Sequence, residues 1–300
     1  MRVTFNPGPA SGKTRIIRTF AGLFALVMAM VGLVATPATA ATYTVCKLAP
    51  GGTSVWRYNG FGSSWTQIGG PAGTLYGGGV GLFATSPNGS SIHRYLSPFN
   101  WQHIGGPGAT WAVTNQAIYG LSPNRSAVYR WTGVGTNWTQ IGGPANWLYG
   151  GGFGVFATSP NGSSIRAYLN SPFNWQHIGG PGATWAVTNQ AIYGLSPNRS
   201  AVYRWTGVGT NWTQIGGPAN WLYGGGFGVF ATSPNGSSIW AYLNSPFNWQ
   251  HIGGPGWSWA VSDNAIYGLA PNRSAVYRWT GVGTNWTQIG GPADQIVPCP

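Results

Sequence analysis

Two related units that follow one another in the chain, residues 138–174 and 175–211, decide the fold. The first reads WTQIGGPANWLYGGGFGVFATSPNGSSIRAYLNSPFN and the second WQHIGGPGATWAVTNQAIYGLSPNRSAVYRWTGVGTN. Both open with Trp-x-x-Ile-Gly-Gly-Pro, a pattern that predicts an array of repeats because it recurs at a nearly fixed spacing of 36 or 37 residues. Its seven starts are Trp65, Trp101, Trp138, Trp175, Trp212, Trp249 and Trp286.

The two units alternate, so the copied element is a pair of 74 residues. Residues 101–174 and 175–248 are identical except that Arg166 in the first copy is Trp240 in the second. Such near identity indicates recent duplication, and a repeated residue is therefore not by itself a sign of function.

Each unit carries four short strand signals. In residues 138–174 these are 146–149, 154–157, 164–169 and, at the start of the next unit, 175–178. Asn161-Gly162 lies between the second and third and is typical of a hairpin turn that needs positive φ. In the other unit type Asn124-Arg125 takes this place, and we expect Asn124 to tolerate that conformation. Four strands per unit, seven times, predict an all-β, seven-bladed β-propeller, with a β-solenoid as the alternative.

The two ends of the array favour a ring. Residues 44–47 and 54–58 match the second and third strands of a unit that lacks its first strand, and residues 293–300 match a first strand alone. Pairing of these pieces would complete a seventh blade and remove the free sheet edges. We therefore predict that the N- and C-terminal strands pair to close the propeller, which would span residues 41–300.

The two cysteines lie on these same terminal pieces. Aligned on residues 138–174, Cys46 takes the place of Phe156 and Cys299 that of Gly151, on either side of the turn between the first two strands. We predict a Cys46–Cys299 disulfide, which an exported protein can keep. A catalytic thiol is the alternative, but no histidine is near either cysteine in the sequence.

Residues 1–40 have the features of a secretory signal peptide. Four basic residues precede an apolar run at 20–35, which ends in small residues and favours cleavage near Ala40. A membrane anchor is the alternative, but the run is shorter than the roughly 20 residues that span a bilayer. We expect a secreted, extracellular protein without stable membrane insertion.

The charge balance excludes several classes of function. The chain of 300 residues has 14 Lys and Arg but only two acidic residues, Asp263 and Asp294. Paired-carboxylate hydrolysis and carboxylate-rich metal loops require more, so we expect no enzymatic activity, cofactor or metal site. Residues 41–300 keep ten basic residues against the two acids, a net charge of about +8. This charge favours solubility, with attraction to anionic polymers as the alternative. The basic residues are spread along the chain, so nucleic acid is not an expected partner.

The units resemble tectonin repeats in several motifs. These are WTQIG at 138–142, LYGG at 148–151, AIYGL at 117–121 and AVYR at 127–130. The resemblance covers residues 41–300 and implies a propeller lectin that binds sugars, including methylated sugars and bacterial lipopolysaccharide. The chain departs from the family in having seven units where six is commoner and in the Pro that follows every Ile-Gly-Gly.

The tryptophans divide into a structural set and a candidate binding set. The seven motif tryptophans are expected to pack between neighbouring blades, one per blade. The remainder exceed what a propeller core requires, and an aromatic ring beside an arginine suits the flat face and hydroxyls of a sugar. An arginine lying on an exposed ring without a ligand is the alternative. The candidate carbohydrate-binding residues are Trp111, Trp131, Arg130, Trp185, Trp205, Arg204, Trp259, Trp279, Arg278, Trp147 and Trp221.

The histidines of the motif do not suggest a metal. His103, His177 and His251 stand where the other units have Gln, which favours hydrogen bonding. We therefore expect a monomeric glycan-binding protein, with glycans or cell-surface polysaccharide as its partners. The first alternative is a non-catalytic structural or adhesive protein that binds anionic wall polymers or lipopolysaccharide through its basic surface. An enzyme or enzyme inhibitor is a weaker one.

Overall fold

The computed structural model describes residues 44–299, in which β-strands are the only extended secondary structure. The predicted signal peptide at 1–40 lies outside these residues. The chain begins with β1 (Thr44–Leu48), a single 3₁₀ turn at Pro50–Gly52, β2 (Val55–Tyr58) and β3 (Trp65–Gly69). No helix among residues 44–299 is long or apolar enough to cross a bilayer.

The next strands form six blades, which we number 2 to 7 in chain order. Blade 2 contains β4 (Leu75–Gly78), β5 (Gly81–Thr85), β6 (Ile92–Ser97) and β7 (Asn100–Gly105), and blade 3 contains β8 (Thr110–Val113), β9 (Ile118–Leu121), β10 (Val128–Trp131) and β11 (Trp138–Gly142). Blade 4 contains β12 (Leu148–Gly151), β13 (Gly154–Thr158), β14 (Ile165–Tyr168) and β15 (Trp175–Gly179). Blade 5 contains β16 (Thr184–Val187), β17 (Ile192–Leu195), β18 (Val202–Trp205) and β19 (Trp212–Gly216). Blade 6 contains β20 (Leu222–Gly225), β21 (Gly228–Thr232), β22 (Ile239–Tyr242) and β23 (Trp249–Gly253). Blade 7 contains β24 (Ser258–Val261), β25 (Ile266–Leu269), β26 (Val276–Trp279) and β27 (Trp286–Gly290).

The last strand, β28 (Gln295–Cys299), joins β1, β2 and β3 to complete blade 1. Its antiparallel ladder with β1 runs from Thr44↔Cys299 to Leu48↔Gln295. Cys46 and Cys299 are both buried and form a disulfide, with their Cα atoms 5.4 Å apart. The predicted seven-bladed propeller, its closure by the terminal strands and the disulfide are thus confirmed.

The hydrophobic core is divided among the spaces between blades. One cluster joins Tyr119 and Ile141 of blade 3 to Leu148 and Tyr168 of blade 4, and comparable clusters lie at the other interfaces. Each sheet therefore has neighbours on both faces, so side chains that alternate along a strand are buried on both sides.

The first strands of the blades pack closely against one another, and glycine makes this approach feasible. A Cβ atom on Gly150 would lie 2.7 Å from the Val113 carbonyl oxygen of blade 3, and one on Gly151 would lie 2.7 Å from the Val187 oxygen of blade 5. Any larger residue would force the first strands apart.

One turn differs from its expected form. The residue with positive φ is the second of the pair, Gly162 at 71° and Arg125 at 60°, and not Asn124. The Asn124 side chain instead accepts a hydrogen bond from the Ser126 backbone N–H at 3.1 Å. An asparagine side chain that bonds the backbone two residues later stabilises such a turn without adopting positive φ itself.

Candidate functional site

The seven motif tryptophans link each blade to the one before it. In every case the indole N–H donates to the backbone oxygen of the motif Ile in the preceding blade, at 2.6 Å for Trp138 and 3.0 Å for Trp101. The pairs are Trp65–Ile289, Trp101–Ile68, Trp138–Ile104, Trp175–Ile141, Trp212–Ile178, Trp249–Ile215 and Trp286–Ile252. Trp65 thereby joins blade 1 to blade 7 across the closure.

The glycine that follows the motif Ile is explained by this contact. A Cβ atom on Gly142 would lie 2.7 Å from the Trp175 Nε1 atom, and the equivalent glycines meet the next blade's indole in the same way. The indole therefore occupies the space that a side chain would fill. This geometry agrees with the predicted packing of the motif tryptophans between blades.

The motif tryptophans remain half-buried, and the exposed part of each ring contributes to a groove between two blades. The groove between blades 5 and 6 has a volume of about 270 Å³ and is lined by Trp240, Trp249 and the backbone of residues 216–219. The groove between blades 3 and 4 has about 190 Å³ and is lined by Arg166, Phe173 and Trp175 at the corresponding places. Both volumes are smaller than the roughly 300–1,000 Å³ of typical small-molecule sites.

Two further grooves also contain a motif tryptophan but have different residues around it. Between blades 4 and 5 a groove of about 310 Å³ is lined by Trp185, Tyr203 and Trp212. Between blades 7 and 1 a groove of about 540 Å³ includes Trp56, Trp65 and Lys47. The Lys47 ammonium lies 4.9 Å from the centre of the Trp65 ring, and burial lowers the pKa of this lysine.

One position on the third strand differs most among the grooves. The residue at this position pairs with a Gln or His on the neighbouring fourth strand, as in Arg166↔His177 and Trp240↔His251. We call it the variable position; its residues in blades 1 to 7 are Trp56, His93, Tyr129, Arg166, Tyr203, Trp240 and Tyr277. All are half-buried or exposed. Four of them line the grooves described above, namely Trp56, Arg166, Tyr203 and Trp240.

Blade 2 brings two histidines together at this place. His93 lies opposite His103, with their ring centres 5.3 Å apart, and the His93 Nε2 atom is 3.0 Å from the Ser91 hydroxyl oxygen. Burial lowers the pKa of His93, and the neighbouring His103 lowers it further. Among residues 44–299 no three His, Cys, Asp or Glu side chains are placed to share a metal ion.

Most of the tryptophans expected to bind a sugar are buried, which requires a correction. Trp131, Trp205 and Trp279 are between 5% and 8% exposed, and each donates its indole N–H to a glycine oxygen in its own hairpin. Trp131 and Trp205 line none of the grooves described here, whereas Trp279 contributes to a cavity of about 300 Å³ together with Arg278 and Tyr58. Large aromatic side chains were used here for core packing, because each third strand has a neighbouring blade on both sides.

The first-strand tryptophans lie deeper than expected as well. Trp111 and Trp185 are 8% exposed and Trp259 is half-buried. The Trp185 ring lies against Gly182 and Gly194 and packs 5.5 Å, centre to centre, from Trp212. Such a ring supports the groove behind the motif tryptophan. The indole Nε1 atoms of Trp111, Trp185 and Trp259 are buried without a hydrogen-bond partner among the described residues.

Trp147 and Trp221 are accessible, at 42% and 44% exposure, directly before the first strands of blades 4 and 6. They do not line the grooves described above.

One of the predicted pairs of arginine and tryptophan is found in a single cavity: Arg278 and Trp279 both line a space of about 300 Å³ between blades 7 and 1. Stacking within the pairs is not expected from the strand geometry. Arg130, Arg204 and Arg278 adjoin Trp131, Trp205 and Trp279 in sequence, but successive side chains of a strand point to opposite faces. Arg130 lies near Tyr119 and Tyr168 instead, where its charge opposes the increase in their pKa values that burial causes. Arginine does contact tryptophan elsewhere, with Arg273 3.8 Å from the centre of the Trp257 ring.

The sequence interpretation missed the variable position and Lys47. One signal could have identified the former, since the single difference between the 74-residue copies falls on it.

Comparisons with known proteins show the fold alone. The structure is similar to yeast RCC1 (Prp20), with a TM-score of 0.59 and 10% identity over 84% of this chain and 83% of that one. It is similar to the CRINKLY WD40 ectodomain of the Arabidopsis thaliana receptor kinase ACR4, with a TM-score of 0.52 and 15% identity over 85% and 93%. For the GH74 xyloglucanase of Xanthomonas campestris the values are 0.50 and 11% over 83% of this chain, which spans only 43% of that enzyme's length. No family model and no curated protein sequence matches the chain.

Proposed function

We propose that the protein is a secreted, non-catalytic, multivalent carbohydrate-binding protein whose sites are the grooves between blades. The observation that carries the proposal is the repeated pairing of a half-buried motif tryptophan with a second side chain at the variable position. At Trp240 and Trp249, and at Trp56 and Trp65, that second side chain is also an indole in the same groove.

The chemistry of these grooves suits a sugar ring. An indole face packs against the C–H surface of a sugar, and nearby polar groups bind its hydroxyls. In the groove between blades 7 and 1, Gln288 donates its amide N–H to the Gly290 oxygen at 3.4 Å, which leaves its own oxygen free to accept a hydrogen bond. His177 and His251 take the place of this glutamine in other blades and can donate or accept.

Repetition compensates for weak individual sites. Several grooves on one rigid ring raise the effective concentration at a glycan-coated surface, which can increase avidity by ~10²–10⁴ over a single site. The resemblance to tectonin-type lectins and the expected export signal are consistent with this role.

The proposal is tested by glycan-array and titration measurements on residues 41–300. Trp56→Ala combined with Trp240→Ala removes two groove indoles without touching the hydrogen bonds of the motif tryptophans. We expect surface avidity to fall at least tenfold, because two sites lose their second aromatic face. Val208→Ala is the control, since Val208 is 68% exposed in the hairpin loop at residues 206–211, which lines none of the described grooves. Equal avidity of the double variant and the control would refute the groove assignment.

An anionic wall polymer or lipopolysaccharide is the second candidate ligand. It is favoured by ten basic residues against two acidic ones in residues 41–300. Binding of that kind falls steeply with ionic strength. If binding disappears at high salt and is indifferent to Trp56→Ala and Trp240→Ala, the adhesive function replaces the lectin function.

A further inference from the structure

The chain contains a natural comparison between two grooves. Residues 101–174 and 175–248 are identical except at Arg166 and Trp240, and both of these residues lie in grooves between blades. The groove between blades 3 and 4 and the groove between blades 5 and 6 share the same Gly-Gly-Pro-Ala segment and the same Ala-Thr-Ser segment in their walls. Their chemical difference is therefore concentrated in one side chain.

The charge of Arg166 is not neutralised by the protein. The chain has only two carboxylate side chains, and both are engaged elsewhere. Asp263 accepts a hydrogen bond from Asn189, and Asp294 pairs with Arg273. Arg166 is exposed beside Trp175, and the side chain opposite it is His177, which offers no negative charge. A guanidinium beside an indole, without an internal partner, can bind a ligand that is itself anionic.

The groove between blades 5 and 6 has the opposite character. Trp240 replaces the guanidinium with a second indole, whose Nε1 donates to the Ser238 hydroxyl at 2.9 Å. Its ring also packs 5.1 Å, centre to centre, from His251, so two contacts fix its orientation. Trp240 and Trp249 together provide two aromatic surfaces and no fixed charge, which suits an uncharged ring.

We infer that the grooves of this propeller differ in ligand class: the Arg166 groove binds saccharides that carry a carboxylate, and the Trp240 groove binds neutral ones. Arginine recognises a carboxylate through two parallel N–H donors, a geometry that neither tryptophan nor lysine reproduces. This inference rests on the proposed function, because it assigns a ligand class to each of two proposed sites. A single molecule would then recognise glycans of mixed charge, one class per groove.

The test uses the chain's own alternative residues. Arg166→Trp and Trp240→Arg each install the residue that the other copy holds in the same surroundings, so both variants are expected to fold. The protein is labelled with 5-fluorotryptophan, and the ¹⁹F signals of Trp175 and Trp249 are assigned by Trp→Phe variants. The probes are methyl glucuronide, which carries a carboxylate, and methyl glucoside, which does not.

In the unaltered protein we expect methyl glucuronide to shift the Trp175 signal and methyl glucoside to shift that of Trp249. Arg166→Trp should weaken glucuronide binding at Trp175 by about tenfold or more, because the variant loses a bidentate charged contact with the carboxylate. Trp240→Arg should create glucuronide binding at Trp249. Arg166→Lys is the matched control and should restore only part of the affinity, because it keeps the charge without the planar donor pair.

The possible failures are distinguishable. If saccharides bind both grooves but the swaps leave the preference for glucuronide unchanged, the inference about ligand class is wrong and the proposed function stands. If neither probe shifts the ¹⁹F signal of a groove tryptophan and no glycan on the array is bound, the proposed function is wrong and the inference is wrong with it.

Discussion

Blade 1 and blade 4 build the same four-stranded sheet in different ways. In blade 4 the first two strands, β12 and β13, follow one another through a short turn at residues 152–153. In blade 1 the corresponding strands, β28 and β1, come from opposite ends of the described chain and have no peptide connection. The sheet registers match nonetheless, since Cys46↔Val297 repeats the pairing Tyr149↔Phe156.

The two blades differ in sequence where the peptide connection is missing. Cys46 and Cys299 stand where blade 4 has Phe156 and Gly151. Asp294 and Gln295 stand where blade 4 has Asn146 and Trp147. The repeat was therefore altered at the residues that hold the terminal strand in place, which indicates that covalent and polar contacts there replace chain continuity.

The largest effect is expected from removing the disulfide. Cys46→Ala with Cys299→Ala opens a loop that spans 253 residues in sequence, and the chain-entropy model gives a loss of roughly 5 kcal/mol. Thermal and urea unfolding should show a marked drop in stability. The unaltered protein under reducing conditions should behave like the double variant. An unchanged unfolding midpoint would mean that the β1–β28 ladder closes the ring without the covalent link.

An intermediate effect is expected at Gln295. Its side-chain amide accepts a hydrogen bond from the Leu75 N–H at 2.8 Å and donates to the Leu75 oxygen at 2.9 Å, so it fastens β28 to blade 2. Gln295→Met leaves both backbone groups without this partner, and urea unfolding should show a loss of about 1–3 kcal/mol. Gln140→Met is the matched control, because the Gln140 amide bonds only to Gly142 on its own strand. Equal losses of stability in the two variants would show that Gln295 makes no special contribution to closing the ring.

The smallest effect is expected at Asp294, which pairs with Arg273 at 3.6 Å and accepts a hydrogen bond from the Gly51 N–H at 2.7 Å. Asp294→Asn installs the residue that blades 4 and 6 have at this position and should cost no more than about 1 kcal/mol, since the ion pair is exposed to solvent. The reverse change, Asn220→Asp beside Arg199, should raise the free energy of unfolding by a few tenths of about 1 kcal/mol, the range of an exposed ion pair. Both effects, measured by urea unfolding, should diminish in 1 M salt because salt screens exposed charges. Persistence of the Asp294→Asn loss in high salt would show that the Gly51 hydrogen bond, and not the ion pair, carries it.

The sequence was informative about architecture and less so about the site. Seven regular motifs, two complementary ends and two cysteines predicted the number of blades and their closure. The motif tryptophans were correctly placed between blades. Trp131 and Arg130 were expected to form one sugar-binding surface, yet Trp131 is buried and Arg130 lies on the other face of the strand. A strand pattern distinguishes its two faces, but in a propeller both faces meet another blade.

What the sequence determined by itself is the sheet, the ring and the bond that closes it. Strand length, turn chemistry and repeat spacing can be read along the chain, and aligning its two incomplete ends on one repeat places the two cysteines side by side. What only the tertiary structure decided is which aromatic rings remain accessible. That depends on how neighbouring blades pack: Trp240 and Trp249 of blade 6 line a groove with residues 216–219, which leave blade 5, whereas Trp205 is buried.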